Sequence, residues 1–90
     1  MFNHEKGKFY LTSDEGKTIA FITYKYISDY IAVDHTFVDP ILRGQGIAQK
    51  LVDEVVKLAR LENKKIDPIC PYVHKLFEKD PQYEDIYRKK

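Results

Sequence analysis

Cysteine is almost missing from this sequence: Cys70 is the single one among 90 residues. One thiol excludes an internal disulfide and any zinc site built on a CxxC pair. A reducing, cytoplasmic setting fits that usage, and no metal site is expected. Long hydrophobic runs are also missing. The apolar stretches are a few residues each, far short of a membrane span. The opening Met1-Phe2-Asn3-His4-Glu5-Lys6 has neither an apolar centre nor a cleavage pattern, so a signal peptide is not expected. Nor is there an excess of charge of one sign. Fifteen Lys plus Arg against fourteen Asp plus Glu leave a net +1. No global field draws such a chain to nucleic acid or to an anionic membrane, and neither is expected as a partner. Any phosphate-binding surface has to be local.

What is present is enough for one small domain, 1–90, with residues 1–6 polar and expected to fray. A chain of this length buries only about 60% of the surface its unfolded form exposes, so its core is thin. Lys8-Phe9-Tyr10-Leu11-Thr12 reads as a short strand, followed by the turn cluster Ser13-Asp14-Glu15-Gly16-Lys17. Residues 18–27 and 30–38, rich in β-branched and aromatic side chains, read as two longer strands joined at Ser28-Asp29. The three strands form an antiparallel meander, which ends at Asp39-Pro40 because proline removes a ladder donor.

The apolar period then changes from two to 3.6. Ile47, Leu51, Val55, Leu58 and Ala59, flanked by Ala48 and Val52, make one stripe, and Gln49, Lys50, Asp53, Glu54, Lys57 and Arg60 lie opposite. That pattern predicts an amphipathic helix ending near Glu62-Asn63. A short strand over residues 64–69 follows, weakened by Pro68. A second helix starts at Pro71, which suits a first helical turn, and stops at Asp80-Pro81. Residues 83–88 are expected to add a last helical turn or two. The order β-β-β-α-β-α-α predicts an α/β (α+β) fold: a small mixed sheet, antiparallel at first, with one βαβ crossover that makes its two strands parallel.

The chemistry concentrates where the third strand meets the long helix, at Val38-Asp39-Pro40-Ile41-Leu42-Arg43-Gly44-Gln45-Gly46-Ile47-Ala48. The free N–H groups of a first helical turn point back toward the strand end and form an anion site. Gly44 and Gly46 permit positive φ and close backbone approach. Arg43 adds a fork of fixed charge. Two glycines alone are equally consistent with a loop that only caps a helix. A P-loop is excluded because no Gly-Lys-Ser/Thr follows. A Rossmann fingerprint would need a small residue where Gln49 stands, and ninety residues cannot hold both halves of that fold.

The segment Arg43-x-x-Gly46-x-Ala48 resembles the Arg/Gln-x-x-Gly-x-Gly/Ala signature of the GNAT superfamily of acetyl-CoA-dependent N-acetyltransferases. Within it, the chain looks most like a minimal subgroup with His-Thr-x-Val-x-Pro before the loop and Pro-x-Cys-Pro-Tyr/Phe after the helix. Here these are His35-Thr36-Phe37-Val38-Asp39-Pro40 and Pro68-Ile69-Cys70-Pro71-Tyr72. The resemblance spans roughly residues 8 to 83. It implies that Arg43, Gly44, Gln45, Gly46, Ile47 and Ala48 grip the diphosphate of coenzyme A. Phe37 and Val38 would lie along the pantetheine arm. It also implies an acetyl-CoA co-substrate, an amine acceptor that is a small molecule or a protein, and a monomer or weak homodimer. The usual N-terminal helices and C-terminal strands of longer relatives have no counterpart here. This leaves open the rival reading of a CoA-binding or sensing module without turnover.

Three residues are catalytic candidates. Cys70 stands at the carboxyl end of the fourth strand, where ligands sit in a βαβ crevice, and at a helix start, whose dipole favours an anion. It would attack the thioester or protonate the leaving thiolate; the alternative is a small buried hydrophobe. His35 alternates with Val33 and Phe37, so a regular strand puts the three on one face, where a histidine can serve an amine as general base. Asp34 would point to the other face, too far to orient it. Tyr72, two residues beyond Cys70, would be an acid for the thiolate or an aromatic packed over the helix start. His74, on a helix with Lys75 and Glu78, reads as solvated, and His4 carries no role.

Overall fold

The alternation in the N-terminal half becomes a sheet, and the 3.6 period becomes a helix lying across one of its faces. The computed structural model describes residues 2–89. Its strands are β1 (Asn3–Glu5), β2 (Lys8–Thr12), β3 (Thr18–Ile27), β4 (Tyr30–Val38) and β5 (Lys65–Pro68), and its α-helices are α1 (Ile47–Leu61) and α2 (Pro71–Lys79). Short 3₁₀ turns occupy Pro40–Leu42 and Pro81–Tyr83. The spatial order is β1-β2-β3-β4-β5, antiparallel as far as β4, with β5 parallel to β4. This is the mixed sheet with one βαβ crossover that the pattern predicts.

The core lies between α1 and the sheet. Phe9, Ala20, Ile22, Tyr24, Ile31, Val33 and Ile66 supply the sheet side, and Leu51, Val52, Val55, Val56 and Ala59 supply the helix side, all buried in one cluster. Val73, Leu76 and Phe77 of α2 join the same cluster, with Tyr83 and Tyr87 from the C-terminal segment. Leu51 is fully enclosed, and truncating such a leucine to alanine typically costs about 2–5 kcal/mol.

Three expectations need correction. The first concerns residues 1–6. Met1 lies outside the described residues, but Asn3–Glu5 is a strand paired with β2 in the register Asn3↔Tyr10, His4↔Phe9, Glu5↔Lys8. Side-chain contacts hold it. The His4 ring stacks on Phe9 with centroids 4.0 Å apart, and its Nε2 lies 2.6 Å from the Tyr24 hydroxyl. A local reading sees only polar residues there.

The second concerns residues 83–88. Beyond the 3₁₀ turn they are not helical. The Ile66 N–H donates to the Ile86 carbonyl (2.6 Å) and the Arg88 N–H to the Ile66 carbonyl (2.8 Å), so Tyr87 bridges the edge of β5. Ile86 and Tyr87 bury against the core, and Arg60 clamps Asp85 with two 3.0 Å bonds. An unpaired strand edge outweighs a short, poorly nucleated helix.

The third lies in β4. Thr23 pairs with His35 but Tyr24 pairs with Val33, so Asp34 is an extra residue in the ladder. Such a bulge shifts side-chain alternation by one. Val33 faces the core, while His35 and Phe37 emerge exposed beside their partners Thr23 and Phe21. The three residues therefore do not share a face. Asp34 is also displaced: its Oδ1 accepts a 2.6 Å hydrogen bond from Thr23, the cross-strand partner of His35.

Candidate functional site at the parting of β4 and β5

β4 and β5 are joined only over the four pairs from Tyr30↔Lys65 to Val33↔Pro68. β4 runs on to Val38, and from Asp34 onward no strand pairs with it on the β5 side. The last tie is the Cys70 N–H, which donates to the Val33 carbonyl at 2.9 Å. Pro68 cannot donate to a ladder and ends β5 at that point. The wedge that opens is bounded by the free edge of β4, the start of α2 and the loop leading into α1.

That loop is built to present N–H groups. The Asp39 carboxylate accepts from the Ile41 N–H, Pro40 occupies the first position of the 3₁₀ turn, and the Arg43 N–H closes it on the Pro40 carbonyl. Gly44 (φ 82°) and Gly46 (φ 67°) then take left-handed conformations that cost an L side chain about 1–2 kcal/mol. Among the described residues no acceptor takes the N–H of any residue from 44 to 49; the first helical bond runs from the Lys50 N–H to the Gly46 carbonyl. Six successive donors without a partner thus stand at the positive end of a 15-residue helix, where an anion is favoured. The exposed Arg43 guanidinium has no ion-pair partner among the described residues. Ile47 is buried and anchors this turn to the core, and Ala48 is half-buried behind it.

Of the catalytic candidates, the structure brings Cys70 and Tyr72 to the wedge together and leaves His35 apart. Cys70 is the N-cap residue of α2 and is buried, and its thiol donates to the Thr36 hydroxyl at 3.5 Å. Thr36 pairs with Ile22, a core-facing residue, so the thiol lies on the core side of β4, whereas His35 emerges on the other face. His35 makes no hydrogen bond or ring contact to Cys70 or Tyr72. The Tyr72 ring is half exposed, and burial of its hydroxyl, with added charge effects from Asp53 and Cys70, raises its pKa above the ordinary value. It therefore stays protonated and is suited to donate a proton rather than to take one.

Sequence reasoning passed over Thr36, although it sits inside the His35-Thr36-Phe37-Val38 pattern. It also passed over a buried polar link at the base of α1. The Tyr83 hydroxyl donates to Asp53 Oδ1 (2.6 Å) and accepts from Gln49 Nε2 (3.2 Å). Burial first, then the hydrogen bond to the Asp53 carboxylate, pushes the Tyr83 pKa up to about 12. Gln49 and Asp53 sit on the polar side of the predicted helix, and only their i, i+4 spacing hints that they share a partner.

The profile of the GCN5-related N-acetyltransferases matches residues 8–86. The NMR solution structure of a GCN5-like candidate N-acetyltransferase from Staphylococcus aureus superposes with a TM-score of 0.85 at 36% identity, over 100% of this chain and 89% of that one. More distant folds agree. An acetyltransferase from Bacillus cereus gives a TM-score of 0.62 at 20% identity, covering 78% of this chain and 54% of that one. The ribosomal-protein-S18-alanine N-acetyltransferase of Escherichia coli gives 0.61 at 21%, covering 79% and 48%. The chain thus spans about half the length of these longer acetyltransferases. No curated protein matches the sequence.

Proposed function

Because the chain belongs to the GCN5-related N-acetyltransferase family, we propose that it works as a single minimal domain that binds acetyl-CoA in the β4–β5 wedge and transfers the acetyl group to an amine. The observation that carries this reading is the run of six unpartnered N–H groups at residues 44–49, beside an unpaired strand edge that ends in the same loop. The donor set fits the ligand. A diphosphate needs several converging N–H groups and a cation, which the loop and Arg43 supply. An extended amide-bearing arm needs a strand edge, which β4 offers at Phe37 and Val38. Nothing on the loop fills the concavity: a Cβ built at Gly44 or Gly46 would meet no heavy atom within 4 Å.

When bound, acetyl-CoA supplies an activated thioester carbonyl. Tyr72, kept protonated, hands a proton to the departing sulfur. Cys70, which ties the parting strands through its N–H, is the candidate nucleophile, and its thiol is oriented by Thr36. His35, on the opposite face of β4, is suited to take a proton from an amine approaching over the exposed Phe37. A cytoplasmic protein, with a small-molecule or protein amine as acceptor, is the setting this chemistry calls for. No described helix is long and apolar enough to cross a membrane.

The test is release of free CoA from acetyl-CoA in the presence of a panel of amines, paired with amide chemical-shift mapping. The proposal expects shifts concentrated in residues 34–49 and 70–73, together with amine-dependent CoA release. Binding with those shifts but no turnover against any amine would leave a CoA-sensing module. Absence of binding would overturn the reading.

A further inference from the structure

Both α-helices bury into one core cluster, which leaves the opposite face of β2, β3 and the C-terminal half of β4 without a helix among the described residues. A row of aromatic side chains crosses that face. Tyr10 pairs with Phe21, and Phe21 with Phe37, in successive antiparallel ladders. The Phe21 and Phe37 rings lie 5.5 Å apart between centroids, and Phe37 is 41% exposed. The row ends on β4, at the edge where the wedge opens. At its far end the Tyr10 ring is already engaged: Lys8 Nζ stands 4.8 Å from its centroid and pairs with Glu5 at 3.6 Å. The open ring surface is therefore that of Phe21 and Phe37, beside the wedge.

A polar row flanks the aromatic one. Thr23 and His35 pair with each other two residues along from Phe21 and Phe37, so all four share a face. The bulge adds a carboxylate to this row. Half-buried Asp34 accepts the 2.6 Å bond from the Thr23 hydroxyl, and no cation pairs with it among the described residues. A carboxylate and an imidazole thus stand about 7 Å along the strands from a pair of rings. An amine whose ring is carried on a short alkyl arm matches that spacing. The arrangement also has a direction. The rings favour an aromatic partner and the carboxylate an ammonium, while Lys8 repels an ammonium from the Tyr10 end.

Resting on the function proposed above, we infer that the acceptor is an arylalkylamine, with its ring on Phe21 and Phe37 and its ammonium on Asp34 beside His35. The ammonium sheds one proton to water to become a nucleophile. Its nitrogen gives a second proton to His35 as a C–N bond replaces the C–S bond, and the departing sulfur takes its proton from Tyr72. The experiment measures CoA release by the full chain with phenethylamine and with hexylamine, and maps the amide shifts that phenethylamine alone produces. The parent is expected to show kcat/KM at least tenfold higher for phenethylamine, with shifts at Tyr10, Phe21, Thr23 and residues 34–37. Phe21→Leu should remove most of that preference by raising KM for phenethylamine, with KM for acetyl-CoA unchanged. Asp34→Asn should raise KM at least tenfold for both amines. Lys25→Ala, exposed on the same face one row further from the rings, should change neither. The shift map of the parent decides without any variant, should one fail to fold. Equal kcat/KM for the two amines overturns the inference and leaves amine acetylation in place. A preference that survives Phe21→Leu overturns it as well, and so does a shift map that misses the aromatic row. Shifts in that row that grow with protein concentration, without any amine, would give the face to a second copy and overturn it too. Turnover of no amine removes the proposed function and this inference together.

Discussion

The thiol of Cys70 donates to the hydroxyl of Thr36 at 3.5 Å, across the gap that opens where β5 leaves β4. The two residues are thirty-four positions apart, one within β4 and the other at the N-cap of α2, and the contact exists because the bulge at Asp34 turns Thr36 toward the core side. The Thr36 hydroxyl is the one polar partner of the thiol among the described residues and can accept its proton.

The Cys70–Thr36 pair yields three separable outcomes. If the thiol is the nucleophile, brief incubation with acetyl-CoA alone leaves one acetyl group on Cys70 and releases one equivalent of CoA, seen by intact-protein mass spectrometry and absent in Cys70→Ala. If the thiol is an acid, no adduct forms, and Cys70→Ala slows turnover with CoA affinity unchanged. Thr36→Val keeps the shape of the side chain and should lower turnover in either case. If both substitutions leave turnover intact and cost only stability, of order 1 kcal/mol, the pair is structural.

Gly46 is the N-cap of α1 at φ 67° with open space where a Cβ would stand. Gly46→Val is therefore expected to fold, with a backbone penalty of about 1–2 kcal/mol, and to project a branched side chain over the free N–H groups. CoA affinity should fall at least tenfold by calorimetry. Saturating CoA, at about 100 times its dissociation constant, should add about 2.7 kcal/mol to the parent and much less to the variant. Unchanged affinity in a folded variant would count decisively against the loop.

Tyr72→Phe removes the hydroxyl without disturbing the half-exposed ring. Turnover is expected to drop about 10²-fold or more, with KM for acetyl-CoA little changed, if this hydroxyl delivers the proton. His35→Gln should instead lower amine-dependent turnover and spare any acetyl-Cys70 formation, because the two groups lie on opposite faces of β4. Loss of adduct formation in His35→Gln would show that the faces are coupled.

The Tyr83–Asp53 bond should appear as alkaline instability. Tyr83 titrates near 12 in the folded protein, above the ordinary value of 10. A raised folded pKa means that the stabilisation is complete below pH 10 and is lost as pH climbs through 12. Denaturant unfolding of the parent and of Tyr83→Phe should differ by about 1 kcal/mol at pH 8, and the difference should shrink between pH 10 and 12. A difference that stays constant over that range would show that the hydroxyl is not held by Asp53. Tyr26 also titrates near 12, raised by burial and then by Glu62, but it is 45% exposed, so water screens its contribution.

The sequence by itself determined whatever depends on local period and local donors. The apolar spacing of α1 dictates a helix with one buried stripe. Proline at 40 and glycines at 44 and 46 dictate a break and a left-handed turn at the start of α1. The tertiary structure decided what depends on registry between distant segments. Whether His35 shares a face with Val33 turns on a single extra residue in the β4 ladder, which no alternation pattern in β4 alone can reveal. Whether residues 3–5 fray or pair depends on Phe9 and Tyr24 being in place to receive His4. The segment after Tyr83 straightens onto β5 because that edge is unpaired, and Cys70 meets Thr36 only where two parallel strands part. Each of these is a contact between surfaces that exist only once the chain has folded, and such contacts leave no period in the sequence.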